Sequence, residues 1–218
     1  MTNKLFQEEH PISSVFISND LKWSVQINSA ISKANQALGL IKRTFKFPNE
    51  DSIFKLYKAF VRPHLEYGVV LWRPHWKKDI KAIESVQRRA TKLIPTINRL
   101  KYTERLKKLN LTTLETRRLR GDIIQMFKIV KGFDEVNWFN NVVFKNIGSD
   151  STAPQLRSHE FVVERQLVKN CDQRHNFFIN RVSTFWNRLP KDVVNSTDIN
   201  SFKNKFDKLN LESYYREL

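Results

Sequence analysis

Three arginines, Arg117, Arg118 and Arg120, crowd the start of a predicted helix. Thr112 and Glu115 ahead of them have the Thr-x-x-Glu spacing of a capping box. A helix N-terminus carries partial positive charge, so each cation there is disfavoured by about 0.3–1 kcal/mol. Glu115 and Asp122 offset only part of that cost, and the sequence thus reads as provision for an anion. Lys77 and Lys78 at the start of an earlier predicted helix repeat the pattern, with Asp79 as partial relief. Two further basic faces stand nearby. Lys78, Lys81, Arg88, Arg89 and Lys92 recur on one side of residues 78–94, and Lys55, Lys58 and Arg62 flank an apolar face before Pro63. Guanidinium and ammonium groups in such rows contact phosphates without reading bases. A single lysine on such a face reads as ordinary solvation. A block of 20 basic and 7 acidic residues over 51–132, in a chain of net charge +16, points to a polyanion. Tyr102, beside Arg99 and Lys101, is the aromatic placed to stack on a base.

Catalytic chemistry finds less support. Two-metal phosphoryl transfer needs converging carboxylates, and the chain has no Asp-Asp pair. It has no glycine-rich phosphate loop. His10, His64, His75, His159 and His175 show no ligand spacing. Cys171 is the only cysteine, which excludes an internal disulfide and reads as a partly buried thiol in a reducing compartment. No catalytic residue, metal or cofactor is expected.

The elements that must position the basic faces follow from the apolar spacing. The 218 residues are 40% hydrophobic, with 16 Phe and 5 Trp, enough for a core. Five glycines leave little turn chemistry, which favours helices. Ile27, Ile31, Ala34, Leu38, Ile41 and Phe45 mark one face of a long helix. Ile53, Leu56, Tyr57, Phe60 and Val61 mark a second, which Pro63 should kink or break. Val69–Trp72 is expected inside. Ile80, Ile83, Gln87, Ala90 and Ile94 oppose the basic stripe of a third helix, and Pro95 stops it. Tyr102, Leu106 and Leu109 form a short fourth. Leu119, Ile123, Phe127 and Val130 face inward in a fifth that ends at Gly132. Residues 133–160 turn acidic and Asn/Ser-rich, which reads as a linker. Beyond it lie a short strand or hairpin within Glu160–Lys169, a helix with Phe178, Val182, Phe185 or Trp186, and Leu189 inward, and a last helix capped by Ser196 or Thr197. Ser13–Ile17 is a short strand candidate. The fold class is mainly α: a helical bundle, a linker and a smaller C-terminal helical region, with minor β. No stretch reaches the roughly 18 apolar residues of a membrane span. No signal peptide is apparent, so an intracellular location, nucleus or cytoplasm, is expected.

Several stretches carry a resemblance. "ISNDLKWSVQINSAISKANQALGLIKRTF", "LYKAFVRPHLEYGVVLW", "IESVQRRATKLIP" and "YTERLKKLNLTTLETRRLRGDIIQMFKIVKG" occur in that order. They resemble the region downstream of the reverse transcriptase palm in LINE-type (non-LTR) retrotransposons, jockey-like elements especially. "RHNFFINRVSTFWNRLP" and "INSFKNKFDKL" are similar to the tail of the same polyproteins. The resemblance spans roughly Val15 to Leu209. It implies that residues 1–20 are a remnant of a palm, 21–132 a thumb-like helical domain, 133–173 a linker and 174–218 a C-terminal helical region. The implied partner is RNA or an RNA–DNA template–primer duplex, and a palm domain in a longer protein. The family's endonuclease and its aromatic-x-Asp-Asp motif are absent, and Gln26 replaces a histidine that often follows Leu-Lys-Trp. The chain is therefore expected to be no enzyme on its own. The rival reading is a helical protein-interaction module left from a degenerate element.

Overall fold

The computed structural model describes residues 15–18, 22–45, 49–136, 144 and 159–209. It is mainly α, as the apolar spacing implies, and its helices form two compact units, Met1–Leu119 and Arg120–Leu218. The division falls inside a helix, upstream of the composition change at 133. Among the described residues no helix is long and apolar enough to cross a membrane.

In the first unit, α1 (Ser24–Thr44) is the longest element. Its buried face is Ile27, Ala30, Ala34, Leu38 and Ile41, close to the register the spacing predicts, with Ile31 partly buried and Phe45, just past the helix end, exposed. Gln26 is also buried, and its side-chain carbonyl accepts from the Phe16 N–H at 3.0 Å. The next helix, α2 (Glu50–Leu56), is capped by Asn49, whose side chain accepts from the Ser52 N–H at 2.7 Å.

Of the kink or break expected at Pro63, the break does not occur. The chain passes from α2 through a π-helical segment, Tyr57–Val61, into α3 (Arg62–Glu66). Proline lacks an N–H and its ring crowds the carbonyl four residues back. Widening the preceding turn, with the Arg62 N–H reaching back to Tyr57 O, accommodates the ring and keeps the helix running. The actual turn comes at Gly68, whose φ of +61° suits glycine. A Cβ there would sit 3.4 Å from Val15 Cγ2 and 3.5 Å from Trp72 Nε1. The short α4 (Val69–Trp72) buries Val69 and Trp72, and Trp72 Nε1 donates to Tyr67 O at 2.7 Å. Leu71 on the same turn is exposed, so only part of that segment is inside. Then α5 (Lys77–Lys92) packs on α1, and α6 (Tyr102–Lys108) packs on α5.

Helix α7 (Leu114–Val130) starts one residue later than a Thr112 cap would allow. Thr113 is the cap: its Oγ1 accepts from the Thr116 N–H at 3.1 Å. Gly132, at φ +72°, follows its last turn.

The second unit has α8 (Asp172–His175), α9 (Phe178–Trp186), α10 (Lys191–Val194) and α11 (Ile199–Asp207). Its core stacks Phe127 on Phe202 at 4.1 Å and Phe202 on Phe206 at 6.0 Å, beside the buried Trp186. Phe178, Val182, Phe185 and Leu189 are buried as expected. Among the described residues the expected strand or hairpin reduces to an isolated antiparallel bridge between Phe144 and Val163. The Asn187 side chain takes the place of a second strand, accepting from Val163 N at 2.9 Å and donating to Val163 O at 2.8 Å. Asp198, not Ser196 or Thr197, caps α11, accepting from the Asn200 and Ser201 N–H groups at 2.9 and 2.8 Å. Cys171 is exposed rather than partly buried. Of the Ser13–Ile17 strand candidate, residues 15–17 lie among the described residues; its first part lies outside them, as does most of the expected linker.

Candidate nucleic-acid interface

The arginines at the start of α7 do not form an open anion site. Arg117 Nε and Nη2 meet both oxygens of Glu66, the second at 3.1 Å, and this bond to Glu66 raises the Arg117 pKa. In the second unit, Arg120 donates from Nε and Nη2 to the two carboxylate oxygens of Asp207, both at 2.7 Å. Arg118 is 1% exposed. Burial, and then the neighbouring Arg73 charge, lower its pKa to about 10. Its terminal nitrogens are buried and lack a hydrogen-bond partner among the described residues. Two of the three arginines are thus paired with carboxylates distant in sequence, and the third is buried.

The bases before Pro63 are also engaged. Lys55 pairs with Asp51 at 2.6 Å, Lys58 Nζ lies 3.8 Å from the Phe54 ring centroid, and Arg62 pairs with Glu66 at 3.7 Å. Lys78 Nζ stands 4.6 Å from the Trp76 ring and Lys81 is exposed, both on the first turns of α5.

The remaining three, Arg88, Arg89 and Lys92, come together on the last turns of α5. They line a cleft of about 570 Å³ with Arg99, Lys101 and Tyr102. Its other wall is the turn after α5, pinned by Ile94 and Ile97 in the core, and the start of α6. Among the described residues no carboxylate forms an ion pair with Arg88, Arg89, Lys92, Arg99 or Lys101. Neutral groups hold the cations instead. Arg89 Nη2 donates to Asn35 Oδ1 at 2.8 Å, and the Arg88 guanidinium carbon stands 4.4 Å from the Tyr102 ring centroid. Arg105 forms the floor at 3% exposure, donating to Thr91 Oγ1 at 3.0 Å and Leu100 O at 2.7 Å. A neutral acceptor orients a guanidinium without cancelling its charge, so the cleft keeps a concentrated positive field.

A buried polar network fixes the cleft walls. Gln87, buried on α5 with Glu84 and Thr91, accepts from Tyr57 Oη at 2.6 Å. It donates to Tyr102 Oη at 2.9 Å and Thr112 O at 3.0 Å. Tyr102 Oη donates to Glu84, whose other oxygen accepts from the Leu114 N–H at 2.9 Å. Burial, then the bond to Glu84, raise the Tyr102 pKa well above the ordinary phenol range, and burial does the same for Tyr57. With its hydroxyl tied down and one face on Arg88, Tyr102 serves as a strut for the cleft. A free stacking platform would need that face open.

Across Arg89 the cleft adjoins a second concavity of about 590 Å³ on α1, lined by Asn28, Ser32, Asn35, Gln36, Gly39 and Arg43. Helix α1 contains no aspartate or glutamate. The acids of α5 are Asp79, in its first turn, and Glu84, which is buried, and neither lines either concavity. Among the described residues no group of three or more His, Cys, Asp or Glu could hold a metal ion.

Sequence reasoning singled out Arg88, Arg89 and Lys92, and noted Arg99 and Lys101 only as neighbours of Tyr102. It missed Arg105. The available signal was Gln87 in an apolar stripe, which required buried partners and hence a neighbouring polar wall.

No family model matches the chain, and no solved structure matches it. It is similar to an uncharacterized protein of Caenorhabditis elegans, B0403.1, at 26% identity over 172 residues, covering 75% of this chain and 84% of that protein.

Proposed function

We propose that the chain binds a nucleic-acid duplex, RNA–DNA template–primer in the first instance, as the thumb-like part of a LINE-type reverse transcriptase, and that it has no polymerase activity alone. The observation that carries the binding reading is the cleft of Arg88, Arg89, Lys92, Arg99 and Lys101, in which neutral partners orient Arg88 and Arg89 and which no carboxylate among the described residues lines. The origin rests on the ordered motif resemblance from Val15 to Leu209. Phosphate contacts position a duplex without reading it, which suits a surface that slides along any template. Contact with four to six phosphates gives a log–log salt slope of about −3 to −5. Titration of an RNA–DNA duplex at rising salt tests this, and a slope near zero rejects it.

The rival reading, a helical protein-interaction module, draws on Phe60 and Leu71, 59% and 62% exposed in the first unit. Sedimentation of the purified chain tests it: a stable oligomer with duplex binding indifferent to salt favours this second reading.

A further inference from the structure

The second unit has a basic pocket of its own. It is a recess of about 370 Å³ lined by Arg165, Arg181, Arg188, His175 and Thr184, with three guanidiniums and, among the described residues, no carboxylate in its lining. Its parts are positioned from below. Arg181 donates to both oxygens of Asp122 at 3.0 Å, and Asp122 is fully buried, so this arginine is a fixed wall whose charge is met. Buried Asn180 holds the segment carrying Arg165, because its Oδ1 accepts from the Gln166 N–H at 3.1 Å while its Nδ2 donates to Arg174 O at 3.0 Å. Arg165 Nη2 lies 3.1 Å from His175 Nε2. A guanidinium only donates, so the imidazole accepts, and it does so as the neutral tautomer protonated at Nδ1. Arg165 is thus aimed by a neutral group that leaves its charge in place. Glu164 is the acid nearest Arg165 in sequence and Asp192 the acid nearest Arg188, and neither lines the recess; Arg188 has an interaction partner of its own.

We propose that this pocket binds a terminal phosphate, a phosphate monoester dianion, through Arg165 and Arg188 with the Thr184 hydroxyl as a further donor. Concave, multi-sided donors suit a tetrahedral group with three free oxygens better than a mid-strand diester with two, and planar guanidinium forks match phosphate oxygens in pairs. The monoester can come from a small phosphorylated molecule or from the 5′ end of a nucleic-acid strand. The site is independent of the α5–α6 cleft: its residues all belong to the second unit.

The test uses the full chain, isotope-labelled, titrated with inorganic phosphate and followed through the Asn176 and Asn180 side-chain amides and the Thr184 amide by NMR. Saturable shifts are expected with phosphate and not with equal chloride. Arg165→Ala with Arg188→Ala should weaken phosphate binding by about tenfold or more, while Arg165→Lys should retain part of it. Both arginines are exposed, so the fold should survive, and an unchanged amide spectrum outside the pocket verifies that. A 5′-phosphorylated oligonucleotide and its unphosphorylated twin then separate the sources. Tighter binding of the phosphorylated strand, lost in the double variant, identifies a strand end. Equal binding of the twins, alongside saturable phosphate shifts, identifies a small phosphorylated molecule. Absent phosphate shifts, shifts matched by chloride, or shifts unchanged in the double variant each overturn the proposal.

Discussion

The arginines of α7 and the cations of the α5–α6 cleft look alike in sequence and differ in the folded chain. Both are dense runs of positive charge on helices. At α7 the guanidiniums meet carboxylates, Arg117 on Glu66 and Arg120 on Asp207, or are buried, as Arg118 is. At the cleft they meet an amide, a ring, a hydroxyl and backbone carbonyls. Partner type decides the outcome. A carboxylate makes an arginine structural, whereas a neutral acceptor makes it a preorganised cation. Charge density alone identifies neither.

The comparison can be broken most sharply at stability. Asp122 is fully buried under Arg181, and Asp122→Ala takes the carboxylate away from a mostly buried cation. A loss of about 3–5 kcal/mol is expected by chemical denaturation. A loss under 1 kcal/mol would mean that such a pair does not hold the second unit. Gln87→Leu comes next. It strands Tyr57 Oη and Thr112 O and removes the bond Tyr102 Oη accepts, leaving Tyr102 its bond to Glu84, at a cost of about 2–3 kcal/mol, and duplex affinity should fall with it as the cleft wall loosens. Unchanged affinity in a folded Gln87→Leu protein would detach the network from the site. Arg117→Ala removes a partly exposed pair and should cost about 1 kcal/mol or less by the same denaturation assay.

The two units should also answer pH differently. Tyr57 and Tyr102 keep their protons in the folded first unit above pH 10, where the unfolded chain loses them. The folded state then binds more protons than the unfolded, so stability falls as pH rises beyond about 10. Arg118, with its pKa lowered to about 10, opposes this, because the unfolded chain holds that proton longer. Tyr57→Phe with Tyr102→Phe should therefore reverse the sign of the alkaline slope or flatten it. Burial lowers the His159 pKa in the second unit. There the unfolded chain takes up a proton first as pH falls below about 6.5, so that unit loses stability on mild acidification, and His159→Gln should remove the effect. Thermal melts followed at Trp72 and Trp186 fluorescence check both.

Much of the fold was legible because helical burial writes a 3.6-residue period into the chain. The faces of α1, α5 and α9 follow directly from apolar spacing. What was not legible depends on atoms far apart in sequence. Pro63 announces a disturbance, but only the packing shows that a π turn absorbs it and that Gly68 makes the bend. Glu66 and Asp207 lie 51 and 87 residues from the arginines they neutralise, and no local rule connects them. The cleft was half legible. Arg88, Arg89 and Lys92 show as a stripe, whereas Arg99 and Arg105 enter through a turn whose path the sequence does not specify.

The central claim is that the α5–α6 cations meet phosphate and the α7 cations do not. It is tested most directly by the salt dependence of RNA–DNA duplex binding, followed by fluorescence anisotropy in three proteins. The unaltered chain should show a slope of about −3 to −5. Arg88→Ala with Arg89→Ala and Lys92→Ala should flatten it by about 2–3 and weaken binding roughly a hundredfold or more near 0.1 M salt. Arg117→Ala with Arg120→Ala should leave the slope within about 1 of the unaltered value. The reverse pattern, a slope lost with the α7 pair and kept without the cleft cations, would contradict the account.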